Sequence, residues 1–194
     1  MAHPSRAGLV DRLVADLGGD VPVLMDDQGL GNWGNAKRAW AAHGGKRWHL
    51  VVQDDVQLCD GFLERAARFR RDHPDGIVSF FLGSRVRHLA SLTEADLERG
   101  WKRMPAGNAW PCAQALCLPV EHIPAMTRYG NRLAYRYKGI ADDVRIFRYF
   151  GSIGADAWYP LPSLVEHLDI PSVIGHRPCR AACFAGRTEP PDGR

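Results

Sequence analysis

The sequence predicts an α/β protein: a mostly parallel central sheet with helices on both faces, forming a single domain over residues 1–184. Three observations lead there. Apolar strand-like runs alternate with helical segments of roughly ten to fifteen residues through the first half, the signature of βαβ units. The length, 194 residues, suits one domain whose core needs no disulfide or metal staple. Hydrophobic residues make up 45% of the chain and charged ones 24%, with no apolar run near the roughly 20 residues that span a bilayer.

Leu9, Val10, Leu13, Val14 and Leu17 recur at helical spacing, and Gly18-Gly19 closes that segment. Val21 to Met25 reads as a short strand ending in the turn Asp26-Asp27-Gln28-Gly29. A second helix is expected from Trp33 to His43, a strand from Trp48 to Gln53, and a third helical face on Phe62, Leu63, Ala66, Ala67 and Phe69. His73-Pro74-Asp75-Gly76 then precedes a strand over Ile77 to Leu82.

The second half is less regular. Residues 83–108 read as a polar loop carrying a short helix, Ala95 to Arg99, capped from Ser91-Leu92-Thr93-Glu94. Ala113 to Leu118 is expected as a buried strand. Val120 to Tyr129 is expected as a helix limited in its first turn by Pro124. Ala141 to Phe150 should form a helix whose first turn, Asp142-Asp143, complements the dipole. The tail, 185–194, has little to bury and is expected to be disordered.

Charge argues against a dedicated, strongly basic nucleic-acid binder but is compatible with brief contact with DNA: 25 Lys and Arg against 22 acids leave +3 and a pI near 8.7. An anionic ligand such as a nucleotide stays compatible. The five cysteines (Cys59, Cys112, Cys117, Cys179, Cys183) show no paired knuckle spacing and fit a reducing, cytoplasmic setting better than zinc or disulfides. The N-terminal stretch lacks the charged start, apolar run and cleavage site of a secretory signal, so neither secretion nor a membrane span is expected.

The stretch most suggestive of chemistry is Trp48-His49-Leu50-Val51-Val52-Gln53-Asp54-Asp55-Val56. An apolar strand here delivers two adjacent carboxylates to the sheet edge where open α/β folds bind ligands. Two like charges in a partly dry site need a positive partner. A hard divalent cation shared with a substrate diphosphate is one such partner, and a solvated turn after the strand is the plainer alternative.

That stretch resembles the acidic metal motif of GT-A-fold glycosyltransferases, an apolar strand ending in [Glu/Gln]-Asp-Asp-[Val/Ile] at the donor nucleotide. Other segments follow in the order of small bacterial and phage members. They are His3-Pro4-Ser5-Arg6 after a truncated first strand, Asp26-Asp27, Gly31-Asn32-Trp33-Gly34-Asn35, the acidic pair Asp142-Asp143, and Pro162-Ser163-Leu164-Val165-Glu166-His167. The resemblance covers about residues 3 to 176 and departs at Gln53, where an acid often stands, and in the short length. It implies a GT-A-like, Rossmann-like domain that moves a sugar from a nucleotide-diphosphate donor to a hydroxyl with the help of Mn²⁺ or Mg²⁺.

The resemblance also distributes roles. Asp55 and His167 are the implied metal ligands, although His167 can equally be a buried structural histidine. His3, Pro4, Arg6, Asp27, Asn32, Trp33, Asn35 and Asp54 are implied in donor binding. Arg6 offers a planar fork for phosphate or a uracil-like edge, while Asn32 and Asn35 serve equally well as helix caps and Trp33 as packing. Asp143 or Asp142 is the implied general base of an inverting transfer, with ordinary dipole-complementing charge as the alternative. Trp110 and Gln114 lie beside the strand expected to flank the sugar pocket, where an aromatic face and an amide suit a sugar and packing is the equal alternative. Arg85 lies on a long loop placed to act as a basic lid over donor or acceptor.

The clusters Arg65/Arg68/Arg70/Arg71 and Arg128/Arg132/Arg136 read as solvated helix faces. One acceptor consistent with phage-type relatives is a hydroxymethylated base in DNA, flipped from the stack, which would place the enzyme in the host cytoplasm. Two readings compete: a metal-dependent nuclease, whose usual Glu-x-Lys is missing from Val78-Ser79-Phe80-Phe81, and a noncatalytic module that binds nucleotide or DNA.

Overall fold

The computed structural model describes residues 1–84, 90–108, 112–136, 139–168, 170 and 179–186. All six expected helices form: α1 (Ala7–Asp16), α2 (Gly31–Ala41), α3 (Phe62–Asp72), α4 (Glu94–Arg99), α5 (Ile123–Arg136) and α6 (Asp142–Ser152). Their ends follow local chemistry. Both carboxylate oxygens of Asp26 accept from the start of α2, at the N–H groups of Leu30 (2.7 Å) and Gly31 (2.9 Å). The cap of α4 lies two residues later than expected: Thr93 Oγ1 accepts from the Asp96 N–H while Asp96 accepts from the Thr93 N–H. Pro124 sits in the first turn of α5, where its missing donor costs nothing, and the helix runs on to Arg136.

Among the described residues seven strands are formed: β1 (Trp48–Val52), β2 (Val56–Leu58), β3 (Ile77–Ser79), β4 (Trp101–Met104), β5 (Ala115–Pro119), β6 (Ala157–Pro160) and β7 (Val165–His167). The expected strand at Val21–Met25 shrinks to one parallel bridge between Ala2 and Met25. Pro22 within that run removes a ladder donor and explains the loss.

The sheet order corrects the expected parallel arrangement. Five strands lie in the order β1-β5-β3-β6-β4, and β2 and β7 form a separate pair. Only β3 and β6 are parallel neighbours, while β1·β5, β5·β3 and β6·β4 are antiparallel. The first-half pattern was nonetheless informative about direction: β1 and β3 both oppose β5 and therefore run the same way. A strand from later in the chain has inserted between them, and local periodicity carries no signal for that.

Alternation along β5 divides the core. Leu116 and Leu118 face Ala36, Trp40, Met126, Ile146 and Phe150 of α2, α5 and α6. Ala115 and Cys117 face Leu13, Phe62 and Ala66 of α1 and α3. Helices thus cover both faces, as expected. Because β1, β3 and β6 run one way and β5 the other, the C-terminal end of β1 and the N-terminal end of β5 share an edge. Among the described residues no helix is long and apolar enough to cross a membrane.

In the Arg65/Arg68/Arg70/Arg71 cluster, Arg68 and Arg71 are exposed and Arg65 half-buried, and one member departs from the expected solvated face. Arg70 is only 2% exposed: its guanidinium donates to the carbonyls of Pro74 (2.8 Å) and Gly76 (3.1 Å) and lies 5.2 Å from the Trp48 ring centre. It closes α3 from within, at the cost of a pKa lowered by burial. Arg128 and Arg132 are exposed, as expected.

Candidate functional site

Four segments distant in sequence meet at the C-terminal end of β1. The chain leaves β1 through Gln53, whose N–H donates to the carbonyl of Gln114 at 2.9 Å, and then presents Asp54 and Asp55. Arg6, from the short 3-10 turn Pro4–Arg6, donates from Nη1 to Asp54 Oδ1 (2.8 Å) and to Asp55 Oδ2 (2.7 Å). The His3 N–H donates to Asp54 Oδ2 at 2.6 Å. Opposite Val56 in the β2·β7 pair stands His167, whose Nε2 is 3.4 Å from Asp55 Oδ2.

The positive partner that two adjacent carboxylates require is therefore supplied in part by Arg6. Burial alone would push Asp55 up, but the bonds from His167 and Arg6 outweigh it and hold the carboxyl below its ordinary value. For Arg6, burial would lower the pKa, and the contacts with Asp54 and Asp55 reverse this.

Polar capacity is left over at this edge. Asp55 Oδ1, His167 Nδ1 and Gln114 Oε1 are buried and have no hydrogen-bond partner among the described residues. Buried polar atoms are normally satisfied, so these three have capacity for a ligand's polar groups, as do Asn32 Oδ1 and Asn35 Oδ1 on α2. Among the described residues no three His, Cys, Asp or Glu side chains converge as a complete metal site. Asp55 and His167 are two groups of the kind that could hold a cation together with a ligand's phosphates, with Arg6 already paired to Asp55 Oδ2.

A second polar cluster forms where α2 meets α6. Asn32 hydrogen-bonds Asp142, which is 4% exposed. Burial raises the Asp142 pKa against the opposing pull of the backbone N–H bonds, Asn32 and Arg145. Arg145, itself 5% exposed, donates to the carbonyls of Gly130 (2.7 Å) and Ile140 (3.0 Å) and lies over the Trp33 ring at 5.1 Å. Asp143 is half-buried, with Oδ1 accepting from the Val144 N–H at 2.6 Å.

The first turns of α2 link the two clusters. Asn35 donates to the carbonyls of Ala2 (3.3 Å) and Leu24 (3.0 Å), fixing the segment that carries His3 to Asp54. One turn earlier, Asn32 reaches Asp142.

The remaining expected site residues are placed less centrally. Trp33 donates from Nε1 to Asn131 Oδ1 at 2.9 Å and packs into the space left by Gly130. Asp27 is exposed, 3.8 Å from Arg38. His3 and Pro4 are exposed, and the His3 ring caps its own turn by accepting from the Ser5 N–H. Arg85, Trp110 and the tail beyond 186 lie outside the described residues.

Sequence reading missed the role of Glu166. Its Oε1 accepts from the His167 N–H (2.9 Å) and from the Ala181 N–H (2.7 Å), tying β7 to a later segment. Its place beside His167 in the Pro-Ser-Leu-Val-Glu-His run was the one available signal. No family model and no characterised protein matches this chain.

Proposed function

We propose that the chain is a metal-dependent glycosyltransferase acting on a nucleotide-diphosphate sugar, with its donor site at Arg6, Asp54, Asp55 and His167. The observation that carries the reading is that cluster: residues from the N-terminal turn, the end of β1 and β7 gather at one sheet edge, with Asp55 Oδ1 and His167 Nδ1 buried and without a partner among the described residues. Asp55 and His167 would hold Mn²⁺ or Mg²⁺, which when bound supplies Lewis-acid stabilisation of a departing diphosphate. Arg6 brings a guanidinium to the same place and is suited to a phosphate oxygen. Asp54, whose two oxygens accept from Arg6 and from the His3 N–H, would meet donor hydroxyls only through its remaining lone pairs.

Asp143 is the base in this reading. Asp142 is sealed against Asn32 and Arg145, which suits it to positioning the first turn of α6. Its half-buried neighbour is the more exposed of the pair and is the one assigned to an acceptor hydroxyl. The acceptor class includes a hydroxymethylated base in DNA.

A thermal-shift screen of nucleoside diphosphates and nucleotide sugars, with and without Mn²⁺, tests the donor site. Binding at 100 times Kd stabilises by about 2.7 kcal/mol. The expected outcome is a metal-dependent shift with one nucleotide class that disappears in Asp55→Asn. Asp143→Asn should retain the shift yet lose roughly 10²–10⁴-fold in kcat, the range for removing a general base.

One observation favours a second reading. Arg6 Nη1 already bonds both carboxylates, so the cluster is also a complete ion-pair network for a noncatalytic nucleotide-binding module. Donor binding that is indifferent to metal, without turnover, would select it.

A further inference from the structure

A second recess lies away from the carboxylate pair, between the exposed side of α3 and the corner joining α4 to β4. It has a volume of about 460 Å³, within the range of small-molecule sites. Arg65 and Arg68 line it from α3, Arg99 and Trp101 from the α4–β4 corner, and Asp72 and His73 from the end of α3. The turn following β6 forms its apolar floor.

Three guanidinium groups around one recess are unusual because they repel one another. Arg99 is partly balanced by an ion pair with Asp96, which is shared with Lys102 at 2.8 Å, and it lies 4.9 Å from the Trp101 ring centre. Arg65 spends one donor on Cys59 Sγ at 3.6 Å. Arg68 has no hydrogen-bond or ion-pair partner among the described residues. Burial lowers the His73 pKa, which disfavours a charge on this ring. Against three arginines the recess itself sets only Asp72, which leaves an excess of positive charge beside an aromatic and apolar wall.

We infer that this recess binds a small phosphate monoester, with Arg65, Arg68 and Arg99 on the phosphate and Trp101 against the organic group. A monoester carries about −1.5 to −2 at pH 7 and matches the surplus better than a singly charged diester. Guanidinium forks pair with phosphate oxygens in bidentate fashion, and the side chains come from two elements, so they can surround the group rather than meet one side of it. Leu164 on the floor is three residues from His167, about 10 Å along an extended chain, and the recess shares no residue with the cluster of Arg6, Asp54, Asp55 and His167. The inference stands independently of the transferase reading.

Titration calorimetry with phenyl phosphate, inorganic phosphate and methyl phenyl phosphate tests it. Phenyl phosphate is expected to bind most tightly, and the double variant Arg68→Gln/Arg99→Gln to weaken it at least tenfold. A control that removes the same charge elsewhere on the surface, Arg12→Gln/Arg132→Gln, should change its Kd less than twofold. Thermal midpoints of both variants establish that the fold is retained. Three results each overturn the inference: no binding of phenyl phosphate at millimolar concentration, equal losses in the two double variants, or a diester bound as tightly as the monoester.

Discussion

Asp142 and Asp55 carry the same ionisable group in opposite surroundings. Asp55 is held below its usual pKa because His167 and Arg6 outweigh its burial, whereas Asp142 is raised because burial outweighs Asn32 and Arg145. A raised folded-state pKa means that the unfolded chain releases its proton first as pH climbs. Wild type should therefore lose stability relative to Asp142→Asn from about pH 4 upward, until the folded-state carboxyl has also ionised. Thermal midpoints of both proteins from pH 3 to pH 8 check this, and a constant difference across the range would show that Asp142 is not held protonated. The doubled acids at 54–55 and 142–143 were visible in the sequence as candidate chemistry. Nothing in the sequence distinguished the low-pKa group from the high one, because burial and partners decide that.

At the scale of elements, the start of α2 carries most of the consequence. Asp26 caps it, Asn35 holds the N-terminal segment, Asn32 reaches Asp142, and Trp33 lies against α5 where Gly130 allows close approach. A Cβ at Gly130 would stand 2.3 Å from Trp33 Cζ2. Gly130→Ala gains about 1 kcal/mol in helix propensity, but overpacking costs typically 1–3 kcal/mol, and the ring is also pinned by Asn131 and Arg145. The net effect should be destabilising, a drop of a few degrees in Tm, and it should vanish in a Trp33→Leu background if the contact is the cause. Helix positions were legible because apolar spacing and caps are local signals. Strands β2, β4, β6 and β7 are only three or four residues long and were not anticipated: so short a run carries too little alternation to identify.

Across the whole molecule, acid should loosen the α4–β4 corner through Asp96. Its carboxyl is lowered to about 2: burial would raise it, but bonds from Lys102 and Thr93 prevail. A depressed pKa contributes stability that is complete above the unfolded value near 4 and is lost as pH falls through about 2. Asp96→Asn should therefore be less stable than wild type at pH 7, with the gap closing between about pH 4 and pH 2; urea midpoints at each pH provide the check.

Local periodicity and turn chemistry were enough for the α/β class, the six helices, the strand that leads into Asp54 and Asp55, and the common direction of β1 and β3. Tertiary structure alone decided that β5 lies between those strands, that Gln114 therefore reaches the carboxylate edge, and that Arg6 and His167 close on Asp55. It also made Arg70 an interior residue and left Arg68 facing a recess. Pairing and burial depend on contacts between residues tens of positions apart, and no local pattern records which of the sterically possible partners a strand or a charged side chain will meet.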